Sequence, residues 1–217
     1  MNATIDLNCD MGESYGAWTM GNDAAVLKFV SSANIACGFY GGDPGVMRQT
    51  LAAALQQGVA LGAHPSLPDL AGFGRRVMQI SPQDAYDMVV YQIGALSAVT
   101  ASQGASLHHV KAHGALYNMS AKDVELAKAI CRAEHDVDAN LIVYELAGSQ
   151  LIHAAHDTGL AAANEVFADR SYQDDGSLTP RSHPNAMIED LDRAVAQVLD
   201  MVLKGHVRSV SGKWIPV

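Results

Sequence analysis

The stretch Ile5-Asp6-Leu7-Asn8-Cys9-Asp10-Met11-Gly12-Glu13 passes from alternating apolar residues into a polar loop. The alternation predicts a strand that starts at Ile5, and the acidic residues predict a loop at its carboxyl end. In α/β domains the binding and catalytic loops gather at the carboxyl ends of parallel strands, so carboxylates at this position indicate a site. A solvated turn is the alternative interpretation, and it applies most easily to Glu13, which is followed by Ser14 and Tyr15.

Short apolar runs alternate with longer helical patterns along most of the chain, which predicts repeated strand–helix units and a parallel sheet or barrel. After the first strand, further strands are predicted over residues 33–37, 59–63, 107–111, 140–144 and 161–166. No linker interrupts this pattern, so residues 1–217 are predicted to form one domain.

Capping residues predict where the helices begin. Asp43-Pro44 and Ser81-Pro82 each place a favoured N-cap before a proline at the first helical position. Ser120 is predicted to cap the start of another helix, and a last amphipathic helix is predicted over residues 185–204. The tail from His206 alternates around a Ser-Gly pair and predicts a small hairpin.

Composition and charge exclude several classes of partner. Hydrophobic residues make up 49% of the chain and charged residues 17%, which is typical of a compact globular protein. The net charge of −9, without any basic run, argues against nucleic acid and anionic membranes as partners. No apolar run approaches the roughly 20 residues that span a bilayer, and the N-terminus lacks the order of a signal peptide. We therefore predict a cytoplasmic protein.

Two further classes of site find no support in the sequence. The three cysteines, Cys9, Cys37 and Cys131, show no CxxC spacing, so neither a disulfide framework nor a zinc knuckle is indicated. There is no GxxxxGK[ST] motif, so we do not expect this chain to bind nucleotide by itself.

Polar residues recur immediately after the predicted strands, and parallel strands would bring them to one edge of the sheet. His64 precedes Pro65 and His113 precedes Gly114, so both imidazoles stand in tight turns, whereas the other seven histidines are interpreted as core or surface residues. The polar set consists of Asp10, Glu13, Tyr40, Asp43, His64, Lys111, His113, Glu165, Asp169 and Arg170.

These residue types permit two kinds of chemistry. Aspartate and histidine at neighbouring strand ends can hold a divalent metal ion with an open water position, as in metal-dependent hydrolases. A carboxylate can equally act as a general base while Lys111 or Arg170 polarises a carbonyl or binds an anionic group. The residues alone leave both alternatives open.

Six ordered motifs across essentially the whole chain resemble those of the LamB/YcsF family. They are Asp6-Leu7-Asn8-Cys9-Asp10-Met11-Gly12-Glu13, Asn34-Ile35-Ala36-Cys37-Gly38-Phe39, Gly62-Ala63-His64-Pro65, Gly72-Phe73-Gly74-Arg75, Val110-Lys111 with His113-Gly114-Ala115-Leu116-Tyr117-Asn118, and Glu165-Val166-Phe167-Ala168-Asp169-Arg170.

The resemblance implies a (β/α) barrel of the glycoside hydrolase/deacetylase type. It also implies a hydrolase that opens the lactam of 5-oxo-L-proline to L-glutamate, within a 5-oxoprolinase complex whose other components are the B and C subunits. That complex would use ATP, with a divalent ion such as Mg²⁺ accompanying the nucleotide. The alternatives are a stand-alone metal-dependent deacetylase or amidase, and a non-catalytic sugar- or metabolite-binding regulator.

The same resemblance implies residue roles, with no residue assigned as a metal ligand. Asp10 and Glu13 are assigned to acid–base catalysis, and His64 and His113 to proton transfer or orientation. Lys111 and Arg170 are assigned to binding an anion or oxyanion. Substrate binding and its supporting shell are assigned to Asp6, Asn8, Tyr40, Asp43, Asp169 and Arg170.

The chain departs from the family at a few positions. Tyr40 stands where the family usually has His, Gly42 where it has Ala, and Ala112 where it has Pro. A phenol cannot replace a neutral imidazole as base or ligand, although its hydroxyl can keep a hydrogen bond. The family usually continues into one more strand and helix. We therefore expect a barrel that is incomplete at its C-terminal end, opens beside the first strand and associates, or self-associates, through that edge.

Overall fold

The computed structural model describes residues 4–217, which form two compact units. The first comprises residues 4–145 and 149–163, and the second comprises residues 146–148 and 164–217.

One parallel sheet organises the first unit, and its strand order follows the chain order. Each described pairing from the first strand to the fifth is parallel. With its helices the sheet is a partial (β/α) barrel, which confirms the predicted fold class. The strands are β1 (Asn8–Met11), β2 (Ser32–Ala36), β3 (Ala60–His64), β4 (His109–Lys111), β5 (Ile142–Leu146) and β6 (Ala161–Glu165), and the last residues of β5 and β6 belong to the second unit.

The helices of the first unit begin largely where capping chemistry predicts. The Asp43 carboxylate accepts hydrogen bonds from two backbone N–H groups at the start of one helix, and Ser81 and Asp84 form a capping box at the start of the next. The helices are α1 (Asp23–Val26), α2 (Pro44–Gln56), α3 (Pro82–Ser102), α4 (Gly114–Ser120), α5 (Val124–Val137) and α6 (Gln150–Thr158). None of the helices in the described part of the chain has both the length and the apolarity needed to cross a bilayer.

Ser120 does not begin a helix, contrary to the sequence prediction. It is the last residue of α4, a short helix that the sequence patterns did not predict. The next helix, α5, is capped by Asp123, whose carboxylate accepts from the N–H groups of Glu125 and Leu126. Ser120 and Asp123 both have side chains that can cap a helix. The N-cap of α5 is Asp123, because its carboxylate is the one that accepts from the first backbone N–H groups of that helix.

The first strand is shorter than predicted, because it begins at Asn8 rather than Ile5. Ile5 and Leu7 are 56% and 51% exposed, so the alternation that suggested a strand does not bury these side chains. By contrast, every residue of β2 is buried, including Ser32 and Asn34. The interior of the sheet is therefore partly polar, and each buried polar group there needs a partner.

The second unit contains helix α7 (Leu191–Lys204) and an antiparallel pair of strands, β7 (His206–Arg208) and β8 (Trp214–Pro216), which confirms the predicted hairpin. The helix starts later than predicted, because the backbone before it pairs with an extended segment. Ile188 N–H donates to the Asp169 carbonyl, so it is not available for a helical bond. The side chains of Leu191, Val195 and Leu199 are exposed along α7.

Candidate active site

The five residues predicted to be catalytic lie together in the first unit. Asp10 is in β1, His64 ends β3, Lys111 ends β4, and Glu13 and His113 follow β1 and β4. The strands are parallel, so these positions share the carboxyl edge of the sheet. The sequence predicted that each of these residues lies near a strand end. The parallel pairing of the strands shows that these ends are neighbours.

Asp10 is held as an ionised carboxylate. Its Oδ1 lies 3.3 Å from His64 Nε2, 3.3 Å from Lys111 Nζ and 2.9 Å from Asn34 Nδ2. Burial by itself would raise the pKa of Asp10, but attraction to His64 and Lys111 and the hydrogen bonds hold that pKa well below its usual value. Asp10 therefore offers a permanent negative charge at the centre of the site.

Glu13 has a different environment. Its Oε1 accepts a hydrogen bond of 3.0 Å from the Tyr40 hydroxyl and lies 3.9 Å from His113 Nδ1. Loss of solvent on burial raises the pKa of Glu13 above its ordinary value. The site thus combines one carboxylate that stays charged with one that takes up a proton more readily, which is the usual arrangement for acid–base work.

The two histidines of the site are anchored by backbone carbonyls. His64 Nδ1 lies 2.6 Å from the carbonyl oxygen of Lys111, and His113 Nε2 lies 3.0 Å from the carbonyl oxygen of Phe73. The remaining nitrogens, His64 Nε2 and His113 Nδ1, are 3.0 Å apart. Burial, reinforced by His64, lowers the pKa of His113 to about 3, so His113 is neutral.

Asn34 is a site residue that the sequence analysis did not single out. Its Nδ2 donates to Asn8 Oδ1 and Asp10 Oδ1, and its Oδ1 lies 2.8 Å from His109 Nε2. Lys111 Nζ completes this network at 3.1 Å from Asn8 Oδ1. A polar residue in the middle of an otherwise apolar strand is the signal that could have identified Asn34, because a buried amide needs partners.

His109 supports this network from the core of the sheet. Gly62 on the neighbouring strand leaves room for the ring, since a Cβ there would lie 2.1 Å from His109 Nε2. Burial lowers the pKa of His109 to about 3, so the ring is neutral and its Nε2–H donates to Asn34. His109 thus occupies the core, as predicted for histidines outside the tight turns, although it contacts the site through Asn34.

Solvent reaches the site from the side of the carboxylates. The Asp10 side chain is 37% exposed and that of Glu13 is 20% exposed, whereas those of His64, Lys111 and His113 are at most 7% exposed. A substrate would therefore meet the two carboxylates first.

Asp6 and Asp43 hold the backbone near the site. The Asp6 carboxylate accepts hydrogen bonds from the hydroxyls of Ser31 and Ser32. Asp43 caps α2 and also accepts a hydrogen bond of 2.8 Å from Gly16 N–H, which ties the loop after β1 to the start of that helix.

Asp169 and Arg170 belong to the second unit. Asp169 is exposed, and its carbonyl accepts from Ile188 N–H. The Arg170 guanidinium is buried and donates to the carbonyl oxygens of Thr179 and Ala186. Their assignment to substrate binding stays a prediction from the motif.

Asp10, Glu13, His64 and His113 could also hold a metal ion, because each offers one ligand atom and these atoms lie within 4.8 Å of one another. Two imidazoles and two carboxylates suit a divalent transition-metal ion better than Ca²⁺ or Mg²⁺, which prefer oxygen ligands alone. The sequence permits a metal ion without indicating its ligands, and the folded chain brings four candidate ligands together.

Comparison with known proteins agrees with the six motifs, because the sequence profile of the LamB/YcsF family matches residues 5–217. The chain belongs to this family. It is 73% identical over 215 residues to the A subunit of 5-oxoprolinase from Bordetella pertussis, which covers 99% of this chain and 85% of that protein. It is 59% identical over 208 residues to the protein of the same name from Bacillus subtilis, which covers 96% of this chain and 81% of that protein.

The crystal structure of the lactam utilization protein from Thermus thermophilus has a similar fold. The two chains superpose with a TM-score of 0.94 at 46% sequence identity, over 99% of this chain and 87% of that one. This similarity agrees with the partial (β/α) barrel described above.

Tyr40, which the sequence marked as a departure from the family motifs, packs into the site. The phenol is buried, donates to Glu13 and stacks on the ring of His113. Burial, together with the negative charges of Glu13 and Asp10, raises the pKa of Tyr40 well above its ordinary value, so the phenol stays a neutral donor. The hydroxyl thus keeps a hydrogen bond to the site, as the sequence predicted.

Proposed function

We propose that this chain is the A subunit of a 5-oxoprolinase, a hydrolase that opens the cyclic amide of 5-oxo-L-proline to L-glutamate. The observation that carries the proposal is the convergence of Asp10, Glu13, His64, Lys111 and His113 at one edge of the sheet. This convergence occurs in a chain that is 73% identical to a protein of that name.

Hydrolysis of a lactam requires an activated water, stabilisation of the oxyanion and a proton for the leaving nitrogen. Glu13 suits the first task, because its raised pKa makes it a better proton acceptor than an ordinary carboxylate. Asp10 remains charged, and it keeps His64 and Lys111 in position by direct contact. Glu13 therefore acts as the general base, and Asp10 orients the neighbouring side chains.

Lys111 suits the second task, since a buried ammonium attracts the negative charge that develops on a carbonyl oxygen under attack. Asn8 and Asp10 fix its Nζ at 3.1 Å and 3.3 Å. His64 and His113 orient these groups and pass the proton toward the leaving nitrogen. Asp6, Tyr40 and Asp43 form the supporting shell through the hydrogen bonds described above.

The B and C subunits of the enzyme are the proposed partners, and ATP with Mg²⁺ enters the reaction through the complex. The absence of a GxxxxGK[ST] motif from the sequence supports placing nucleotide binding outside this chain. We propose a cytoplasmic complex, as predicted from the sequence.

Reconstitution tests this function. The chain is mixed with its cognate B and C subunits, ATP and 5-oxo-L-proline, and glutamate is measured with each component omitted in turn. We expect turnover only in the complete mixture, and a loss of about 100-fold or more for Asp10→Asn. Asp157→Asn, on the exposed face of α6, is the matched control that should keep parent rates. No glutamate from a complex that assembles fully would contradict the proposal.

A further inference from the structure

Two imidazole lone pairs face each other in the site. A carbonyl oxygen only accepts hydrogen bonds, so the His64 nitrogen beside the Lys111 carbonyl and the His113 nitrogen beside the Phe73 carbonyl both carry their protons. In the neutral rings, the other two nitrogens are then bare acceptors. These nitrogens, His64 Nε2 and His113 Nδ1, lie 3.0 Å apart.

Two acceptors at this distance require a positive occupant between or beside them, which is either a shared proton or a metal ion. Two carboxylate oxygens point at the same place. Asp10 Oδ1 lies 3.3 Å from His64 Nε2, and Glu13 Oε1 lies 3.9 Å from His113 Nδ1. One shared proton, together with the Lys111 ammonium, would balance the charge of the two carboxylates, but only a metal ion accepts lone pairs from all four groups at once.

The spacing of the four atoms suits a single ion. Metal–ligand distances of about 2.1 Å in a tetrahedral site place the ligand atoms about 3.4 Å from one another. The four ligand atoms here lie within 4.8 Å of one another, with the closest nitrogens 3.0 Å apart. Small side-chain rotations would therefore bring them into a first coordination sphere.

The groups behind these atoms are those expected around a metal ion. Metal-binding histidines usually donate their second ring N–H to a carbonyl or carboxylate, which fixes the tautomer, and both histidines here do so. The carboxylates are held as well, Asp10 by Asn34 Nδ2 and Glu13 by the Tyr40 hydroxyl. Such contacts orient ligands before the ion arrives.

We infer that Asp10, Glu13, His64 and His113 form a binding site for one divalent transition-metal ion, with Zn²⁺ the best match to two imidazoles and two carboxylates. The exposure of both carboxylates leaves the ion open to solvent and substrate on that side. When bound, the ion would supply a Lewis acid in the same pocket as Lys111. The inference concerns the site of the proposed function, but it stands without that function.

The positive charge of Lys111 should weaken metal binding at this site. Its ammonium lies 3.3 Å from the Asp10 oxygen and opposes a second positive charge there. Replacement by a neutral side chain of similar length should therefore tighten metal binding, even though it removes a group proposed to act in catalysis. We expect Lys111→Met to bind Zn²⁺ more tightly than the parent.

The test uses the full chain, freed of metal with a chelator and titrated with Zn²⁺ by calorimetry and with Co²⁺ by visible absorption. We expect one ion per chain, with affinity weakened at least about tenfold in Glu13→Gln and His113→Gln. His153→Gln, on the surface of α6, is the control and should bind as the parent does. Glu13→Gln preserves the shape of the site and keeps the test valid if His113→Gln does not fold.

Two results would overturn the inference. One is the lack of saturable binding by a chain with native circular dichroism, and the other is equal affinity in the ligand variants and His153→Gln. The proposed function is tested separately by glutamate formation. A chain that binds Zn²⁺ yet yields no glutamate in the assembled complex contradicts only the function, whereas full turnover by a chain that shows no saturable Zn²⁺ binding contradicts only the metal site.

Discussion

The phenol ring of Tyr40 stacks on the imidazole ring of His113, with ring centroids 3.6 Å apart and planes inclined by 8°. The same residue donates its hydroxyl to Glu13. One buried side chain therefore positions an imidazole through its face and a carboxylate through its oxygen. Aromatic contacts and buried hydrogen bonds are each worth about 1 kcal/mol, so Tyr40 contributes to stability as well as to the shape of the site.

Tyr40→Phe separates these two contributions, because it keeps the stacked ring and removes the hydroxyl. We expect the free energy of unfolding to fall by about 1–2 kcal/mol, since Glu13 loses its buried donor. Tyr40→Ala should cost about 3–5 kcal/mol, because a cavity is added. Urea unfolding followed by circular dichroism measures both values. A Tyr40→Phe protein as stable as the parent would show that the hydroxyl contributes nothing.

Lys111→Met tests the oxyanion role. Loss of one donor to a developing oxyanion typically lowers kcat by about 100-fold to 1000-fold, and we expect a loss in this range. Lys128→Met is the control, because that lysine is exposed on α5 and forms a surface ion pair with Glu125. Steady-state glutamate formation by the reconstituted complex is the measurement. Near-parent rates in a folded Lys111→Met protein would remove Lys111 from the reaction.

Asp43→Ala tests the capping of α2. The carboxylate accepts from the N–H groups of Gly45 and Val46 and also from Gly16 N–H. Loss of an N-cap costs about 0.5–2 kcal/mol, and we expect a value toward the upper end because a third N–H loses its acceptor. Asp43→Asn keeps a capping oxygen and should recover most of the loss. Equal unfolding midpoints for Asp43→Ala and the parent would contradict the structural role.

His109 makes stability depend on pH. Its pKa is lowered from 6.5 to about 3 on folding, chiefly by burial and next by His108, so the unfolded chain binds more protons at this residue in that interval. Its contribution to stability is therefore complete above pH 6.5 and is lost as the pH falls toward 3, by up to about 1.4 kcal/mol per pH unit. Other titratable groups that influence the ring are His108, Asp6, Lys111 and His64, and Tyr144 stacks on it.

His109→Gln removes this titration, so the variant should lose less stability than the parent between about pH 7 and about pH 5. Urea unfolding at several pH values measures the slope. His153→Gln, which replaces an exposed histidine, should keep the slope of the parent. Identical slopes for the parent and His109→Gln would mean that the buried ring does not titrate as described.

Patterns close together in the chain predicted the fold well. The parallel strand–helix order and the starts of α2 and α3 follow from hydrophobic periodicity and capping side chains, which act over a few residues. The prediction was wrong where two local signals compete, as at Ser120 and Asp123. The predicted start of α7 was also wrong, because the Ile188 N–H donates to the carbonyl of the distant residue Asp169 and not to a helical carbonyl.

By itself, the sequence determined which residues could carry chemistry, because its patterns and family motifs placed Asp10, His64 and His113 at or near the ends of strands. Only the tertiary structure decided their state. The facing nitrogens of His64 and His113, and the different environments of the two carboxylates, arise from side chains brought together across dozens of residues. Burial, charge and hydrogen bonding depend on distance in space, which spacing along the chain does not specify.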